Sequence, residues 1–298
     1  EDRLTLATNM AVNMFDANLL GGGGGDFEQA IQRNPTAPIF NADGSFVETE
    51  AYNNYNPLSR YANRISERKQ MNLSGVRLTL EILDGLTASV FGAHQRLSYN
   101  DRYYQSMNDF ANRPSSDYQG TGYASKANHV DWNNTLEATI NYKTNFNQEH
   151  NLDLIGGYSY QYFTTEEFSV NNSGFTTDGF LDWNLGAGSA INNTLLPRPG
   201  MRSFKDDNTL IAFFGRASYS YKDKYFAQAT LRREGSSKFG ENHKWGNFPA
   251  VSVGWSLTEE SFLSSSSAVN NLKMRLGYGV TGNQGIGNYL SLVTLGTG

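Results

Sequence analysis

Apolar and polar residues alternate with a period of two along much of this chain, most clearly in its last quarter. Tyr225, Ala227, Ala229 and Leu231 alternate with Gln228, Thr230 and Arg232. Val251, Val253, Trp255 and Leu257 alternate with Ser252, Gly254 and Ser256. Leu272, Met274, Leu276, Tyr278 and Val280 alternate with Lys273, Arg275, Gly277 and Gly279. A period of two makes a strand with two unlike faces. The pattern predicts strands over 3–12, 71–83, 86–98, 131–144, 151–163, 209–221, 225–234, 248–257 and 271–281, and a tenth beginning at 289. The connections between them alternate in length. Residues 13–70, 99–130 and 164–208 are long, whereas Asp84–Gly85, Asn145–His150 and Lys222–Lys224 are short. The segment 235–247 falls on the long side; 258–270 falls on the short side and is the exception. An up-and-down transmembrane barrel with short turns at one rim and long loops at the other produces this alternation. A Greek-key sandwich gives no reason for it.

Strand length points the same way. Trp132, Asn134, Leu136, Ala138, Ile140 and Tyr142 form one row, and the intervening Asn133, Thr135, Glu137, Thr139 and Asn141 are all polar. Ten residues span about 33 Å. A tilt of about 40° reduces this to about 25 Å along the membrane normal, the height of the apolar band in such barrels. Trp132 and Tyr142 then fall at the two interfaces, where amphipathic rings concentrate. Val76, Leu78, Leu80 and Ile82 form a similar row, as do Leu152, Leu154, Gly156, Tyr158, Tyr160 and Tyr162. Glu81, Glu137, Lys273 and Arg275 would each be costly against lipid at mid-depth. They are therefore expected to face a wet lumen. The expected fold is all-β: a section of a large antiparallel up-and-down barrel, occupying residues 1–298 as one partial domain.

Composition narrows the function classes. The chain is 38% hydrophobic and 13% aromatic, with 30 Gly and 17 Tyr, and no stretch reaches the about 20 apolar residues of a transmembrane helix. It has no Cys, which excludes disulfides and Cys-based metal or nucleophile chemistry. A net charge of −5 argues against nucleic acid as a partner. Gly277 to Gly282 matches a dinucleotide fingerprint, but no helix pattern follows it. The run Gly21–Gly25 is followed by Asp26-Phe27-Glu28, which would repel phosphate; it reads as a loop tip before a short helix over Asp26–Gln32, with Asp26 as N-cap. Asn41 to Ser45 has the wrong spacing for a calcium loop and reads as an Asp-Gly turn. His94, His129, His150 and His243 are scattered, and the adjacent acidic pairs point opposite ways on a strand. No catalytic residue, metal site or cofactor is predicted, and the chain is not read as an enzyme.

Ligand recognition is expected in the long connections. Residues 99–130 carry Tyr103, Tyr104, Phe110, Tyr118 and Tyr123; residues 164–208 carry Asp182 and Trp183. Aromatic faces beside amides and carboxylates suit sugar rings. They suit peptides nearly as well, and a docked protein too. Tyr103, Tyr104, Tyr123, Asp182 and Trp183 are the candidate substrate contacts.

The run LRREGSSKFGENHKWGNFPAVSVGWSLTEESF, followed by LKMRLGYGVTGNQGIGNY, resembles the barrel signature of SusC/RagA-type TonB-dependent outer-membrane transporters. The resemblance is close over 225–289 and looser in FEQAIQRNPTAPIFNADGSF (27–46), NPLSRYANR (56–64) and NLDLIGGYSYQ (151–161). It implies a barrel of about 22 strands closed by an N-terminal plug. It also implies TonB-driven import across the bacterial outer membrane and a SusD-like surface lipoprotein acting as a lid. The expected cargo is an oligosaccharide, with a peptide as the alternative. The plug and the TonB-contacting segment are not among these residues, and Glu1 is not preceded by an initiator Met or a signal pattern, so the chain is expected to be a piece of a longer protein. The rival classes are a soluble carbohydrate-binding or adhesive β-domain and a glycoside hydrolase. The latter needs two carboxylates about 5–10 Å apart, and no such pair is apparent. A soluble sandwich would bury the apolar rows; a barrel would leave them bare.

Overall fold

The apolar rows are bare. In the computed structural model, which describes residues 3–19, 24–48, 55–263 and 269–292, Leu136 is 45% exposed and Ile140 is 50% exposed. Among the described residues all the strands belong to one sheet, with no second sheet packed across it. The nine strands are β1 (Leu4–Leu19), β2 (Arg64–Leu83), β3 (Leu86–Gln105), β4 (Gly122–Phe146), β5 (His150–Phe175), β6 (Met201–Tyr221), β7 (Tyr225–Ser236), β8 (Trp245–Ser256) and β9 (Lys273–Gly279). Each pairs antiparallel with its sequence neighbours, in the order β1 to β9. Among the described residues the one α-helix, α1 (Gly24–Gln32), lies in the first long connection.

Cross-strand register aligns the apolar rows into a single face. Leu6, Leu78, Val90 and Ala138 are successive partners, and the row continues to Tyr158 and Phe213. Further along the sheet, Ala217, Ala229, Val251 and Tyr278 form another such row. As expected, Trp132, Leu136 and Ile140 share their surface with Leu154 and Tyr158. The opposite face is polar. Glu81 aligns with Thr87 and Asn141; Glu137 stands between Phe91 and Ser159; Arg275 opposes Gly254 and Lys273 opposes Ser256. A register slip of one residue would exchange these faces on every affected strand.

The short turns carry the residues their geometry needs. Asp84-Gly85 joins β2 to β3 with Gly85 at φ 79°. Asn147-Gln148 and Lys222-Asp223 also take positive φ, where a β-branched residue would be strained. Near this rim the apolar face ends in rings: Tyr221 stacks on Tyr225 at 6.3 Å, and His150 lies 4.7 Å from Tyr221. Just past β8, Glu260 accepts hydrogen bonds from the Tyr225 hydroxyl (2.6 Å) and the Trp255 indole (3.1 Å), which hold its carboxyl below the usual range.

Three expectations need correction. The strands run much further than the apolar pattern indicated. β5 has 26 residues, which span about 80 Å along the strand and about 60 Å along the normal, more than twice the apolar band. Beyond the band both faces are polar, so period-two hydrophobicity fades while the hydrogen-bond ladder continues. The connections accordingly shrink to 106–121 and 176–200, and Tyr103, Tyr104 and Tyr123 sit on strands rather than in loops. Second, no strand begins at 289: Tyr289 is in a turn with φ 60°, and the residues from 293 on lie outside those described. Third, Asp26 is not the N-cap of α1, which starts two residues earlier; its carboxylate accepts from the Tyr55 hydroxyl at 2.8 Å.

Two outcomes follow. In the full-length protein, Leu136→Arg places a charge near mid-depth on the apolar face and should destabilise assembly by about 2–4 kcal/mol. Glu137→Gln, one residue away on the polar face, should assemble normally. Heat-modifiable mobility of the folded barrel in detergent gels measures both. Residues 1–298 expressed alone in water should aggregate, because two strand edges and the apolar face are uncovered. A monodisperse species in size-exclusion chromatography without detergent would contradict the assignment of faces.

Candidate functional site

The buried core lies at the long-loop end of the sheet. Tyr104, Ala124 and Phe175 pack together, with Leu181 and Leu185 laid over them. Connection 176–200 thus folds back onto the upper ends of β3, β4 and β5.

Two carboxylates, half-buried Asp178 and buried Asp109, tie the long connections to one another. Asp178 accepts from the Tyr104 hydroxyl (2.7 Å), the Ser106 hydroxyl (2.7 Å) and the Met107 amide (3.0 Å). Asp109, whose side chain is fully buried, accepts from Asn63 Nδ2 (2.6 Å), Gln105 Nε2 (3.0 Å) and the Ala111 amide (2.8 Å), with Arg60 Nε at 3.4 Å. Each carboxylate is therefore compensated by several donors, which is what burial of its charge requires. Arg60 also stacks over Tyr55 at 4.4 Å. Hydrogen bonds between side chains and backbone thus join the segments 55–63, 106–121 and 176–183 into one rim.

The five candidate contacts are not brought to one place. Register divides them between the two faces of the sheet. Tyr103 and Tyr123 lie on the extension of the polar face, with ring centroids 6.0 Å apart, and Tyr118 meets Tyr123 edge-on at 5.7 Å. All three are half-buried. Burial raises the Tyr118 phenol above its ordinary pKa, so it remains a hydroxyl donor at neutral pH. Tyr104, Asp182 and Trp183 lie on the other side, above the apolar face. Tyr104 has no exposed surface, and its hydroxyl is committed to Asp178, so it serves the rim and not a ligand. Trp183 is 64% exposed, with Arg102 over its ring at 5.0 Å and Lys126 at 5.8 Å.

Below the tyrosines the polar face continues as a lane of hydrogen-bonding groups. His129 packs edge-on against Tyr99 at 5.4 Å, with Nε2 3.0 Å from Asp131 and Nδ1 3.8 Å from Glu167. Asp131 also accepts from the Thr165 hydroxyl at 2.7 Å. Towards the short turns, a hollow of about 730 Å³ is lined on this face by Lys143, Asp153, Gln228, Ser252, Lys273 and Arg275. Lys143 pairs with Asp153 at 3.6 Å, and Lys273 sits over the Phe226 ring at 5.3 Å. Such a wall can hold a hydrated, polar solute. Among the described residues no group of carboxylates and imidazoles could hold a metal ion.

Sequence reasoning did not find Asp109, Arg60, Asn63 or the His129–Asp131–Glu167 set. Asp109 had one visible signal, an acidic residue capping the short turn Phe110–Asn112. Arg60 and Asn63 reach Asp109 from a separate connection, and His129, Asp131 and Glu167 are joined by strand register.

An open antiparallel sheet with one lipid-compatible face, one polar face and a knitted rim defines a section of an outer-membrane barrel. The TonB dependent receptor-like β-barrel family model matches residues 9–294, and the chain belongs to that family of outer-membrane proteins. TonB-dependent receptor P39 of Formosa agariphila is 30% identical over 279 residues, covering 92% of this chain and 25% of the relative. TonB-dependent receptor SusC of Bacteroides thetaiotaomicron is 42% identical over 88 residues, 30% of this chain and 9% of SusC. A chain of the RagAB peptide transporter superposes with a TM-score of 0.78 at 18% identity, over 97% of this chain and 32% of that one. The chain spans about a quarter of the length of the curated relatives it matches along most of its length.

Asp109→Ala in the full-length protein leaves Asn63 without its acceptor and Arg60 without its counter-ion. It should cost about 3–5 kcal/mol of local stability, seen as lost hydrogen-exchange protection over 106–121. Tyr104→Phe removes one bond to a charged acceptor and should cost about 1–3 kcal/mol. Unchanged protection in Asp109→Ala would refute its role as a tie.

Proposed function

We propose that this chain is part of the wall of a TonB-driven importer in the outer membrane. Its apolar face meets lipid, and its polar face lines the lumen. On this reading Glu81, Glu137, Lys273 and Arg275 are lumen residues, a reading supported by their common face. The protein transports; it does not catalyse a reaction on its cargo. The cargo is an oligosaccharide, bound at the outer mouth and covered by a SusD-like lipoprotein, while TonB acts through a segment outside these residues.

The observation that carries the oligosaccharide reading is the Tyr103–Tyr118–Tyr123 cluster on the polar face. Half-buried rings offer flat surfaces to sugar C–H faces, and the amides and carboxylates below offer partners to hydroxyls. Peptide import is the second reading, favoured by the carboxylates of that lane (Asp131 and Glu167 beside His129), which suit amine and amide donors.

Uptake of a labelled oligosaccharide and of a labelled peptide, in cells carrying the full-length protein, separates the two. Tyr103→Ala combined with Tyr123→Ala should lower oligosaccharide uptake about tenfold, the equivalent of about 1.4 kcal/mol, with normal barrel assembly and abolition of uptake when TonB is absent. A fall in peptide uptake alone would replace the first reading by the second. Unchanged uptake of both would remove the cluster from the cargo path.

A further inference from the structure

We propose that Arg102, Lys126 and Trp183 form an outward-facing site for the anionic saccharide headgroup of an outer-leaflet glycolipid. Parity along the strands sets which side these residues occupy. Arg102 and Lys126 are register partners on β3 and β4. Each is separated by an even number of residues from the apolar row of its own strand, Val90 on β3 and Leu136 on β4. Their side of the sheet is therefore the lipid side, not the cargo side. Trp183 closes over this pair from the connection 176–200.

The group is built to hold a ligand rather than to neutralise itself. Asp182 lies beneath, its side chain only 9% exposed. Its Oδ2 is 3.6 Å from Lys126 Nζ and 4.0 Å from Arg102 Nε and accepts no hydrogen bond. The carboxylate thus anchors both cations by charge and leaves their N–H groups uncommitted. With two cations and one carboxylate the site keeps a net positive charge. An Arg fork beside a Lys suits a phosphate or carboxylate. The open face of the indole suits the sugar ring that carries it.

Height selects the ligand. Arg102 lies six residues beyond Arg96, the partner of Trp132 at the edge of the apolar band. That is about 20 Å along the strand and about 15 Å along the normal at a tilt of about 40°. A phospholipid headgroup layer reaches only about 5–7 Å beyond the hydrocarbon. The ligand is therefore the saccharide portion of a glycolipid, not a phosphate at the acyl boundary. The intervening surface is polar and cationic enough to run beside such a headgroup: Asn128 donates to Asn100 at 2.8 Å, and Arg96 stands below them.

The test is binding to the full-length protein in detergent, measured by native mass spectrometry. The probes are rough lipopolysaccharide (lipid A with a phosphorylated core saccharide), lipid A alone, phosphatidylglycerol and inorganic phosphate. Arg102→Gln with Lys126→Gln should weaken rough lipopolysaccharide about tenfold. Trp183→Ala should weaken it severalfold, with recovery in Trp183→Phe. Lipid A and phosphatidylglycerol should bind all variants as they bind the unmodified protein, and inorganic phosphate should not displace the lipopolysaccharide. Normal heat-modifiable mobility of each variant excludes misfolding as the cause. Unchanged retention of rough lipopolysaccharide by the double variant would overturn the proposal. So would equal losses for lipid A alone, or displacement by free phosphate. A fall in cargo uptake by Trp183→Ala with lipopolysaccharide binding intact would return the tryptophan to the transport path and also overturn it.

Discussion

Backbone hydrogen bonding in hydrocarbon is the constraint on which everything else here depends. No water is available at that depth to satisfy an N–H or C=O, so each strand must be matched residue for residue by its neighbours. The matching fixes register, and register fixes which side chains meet lipid. The ladder from β1 to β9, irregular only at strand ends (Glu81/Leu83 and Gly122/Tyr123), thus does two things at once. It removes the cost of unpaired peptide groups, and it gathers Leu78, Val90, Ala138 and Tyr158 onto one face while sending Arg77, Glu137 and Arg232 to the other. The polar lane is in this sense a by-product of the lipid face.

Above the band a different stabilising principle takes over. There the strands stand in water on both sides and have no apolar row to align. Order comes instead from the small core around Tyr104 and Phe175 and from the hydrogen-bonded carboxylates of Asp109 and Asp178. These anchor the rim from several connections, so the tyrosines of the polar face and the Trp183 group of the opposite face are presented by a fixed scaffold. Preorganised aromatic surfaces bind at lower entropic cost than mobile ones. The two recognition surfaces proposed above lie at one rim, on opposite faces of one sheet, and both rest on the same knitting.

Much of this was legible in the sequence, and the limits have physical causes. The alternation at 132–142 and 151–163 carried strand, facing and pairing together, because burial in lipid imposes a strict period. The Asp84–Gly85 turn was readable because its backbone needs positive φ. The upper halves of β4 and β5 were not readable: residues such as Lys126-Ala127-Asn128-His129 are polar-compatible on both sides, so pattern carries no signal there. For the same reason Tyr103, Tyr104 and Tyr123 read as loop residues. Their division between two faces depends on parity counted from the band, and parity has no meaning until the strand is known to continue. The ties that the rim carboxylates make between connections are hydrogen bonds 46 to 74 residues apart in sequence, beyond any local motif.

The central claim is that one face of this sheet meets lipid and the other meets water. The absence of native Cys in these residues permits its most direct test. Single cysteines placed from 132 to 142 in the full-length protein are spin-labelled and reconstituted in bilayers, and collision with oxygen is compared with collision with a water-soluble nickel chelate. The account predicts a period of two: even positions accessible to oxygen, odd positions to nickel, with 136, 138 and 140 most protected from nickel. Uniform accessibility along the strand, or the opposite phase, would contradict it.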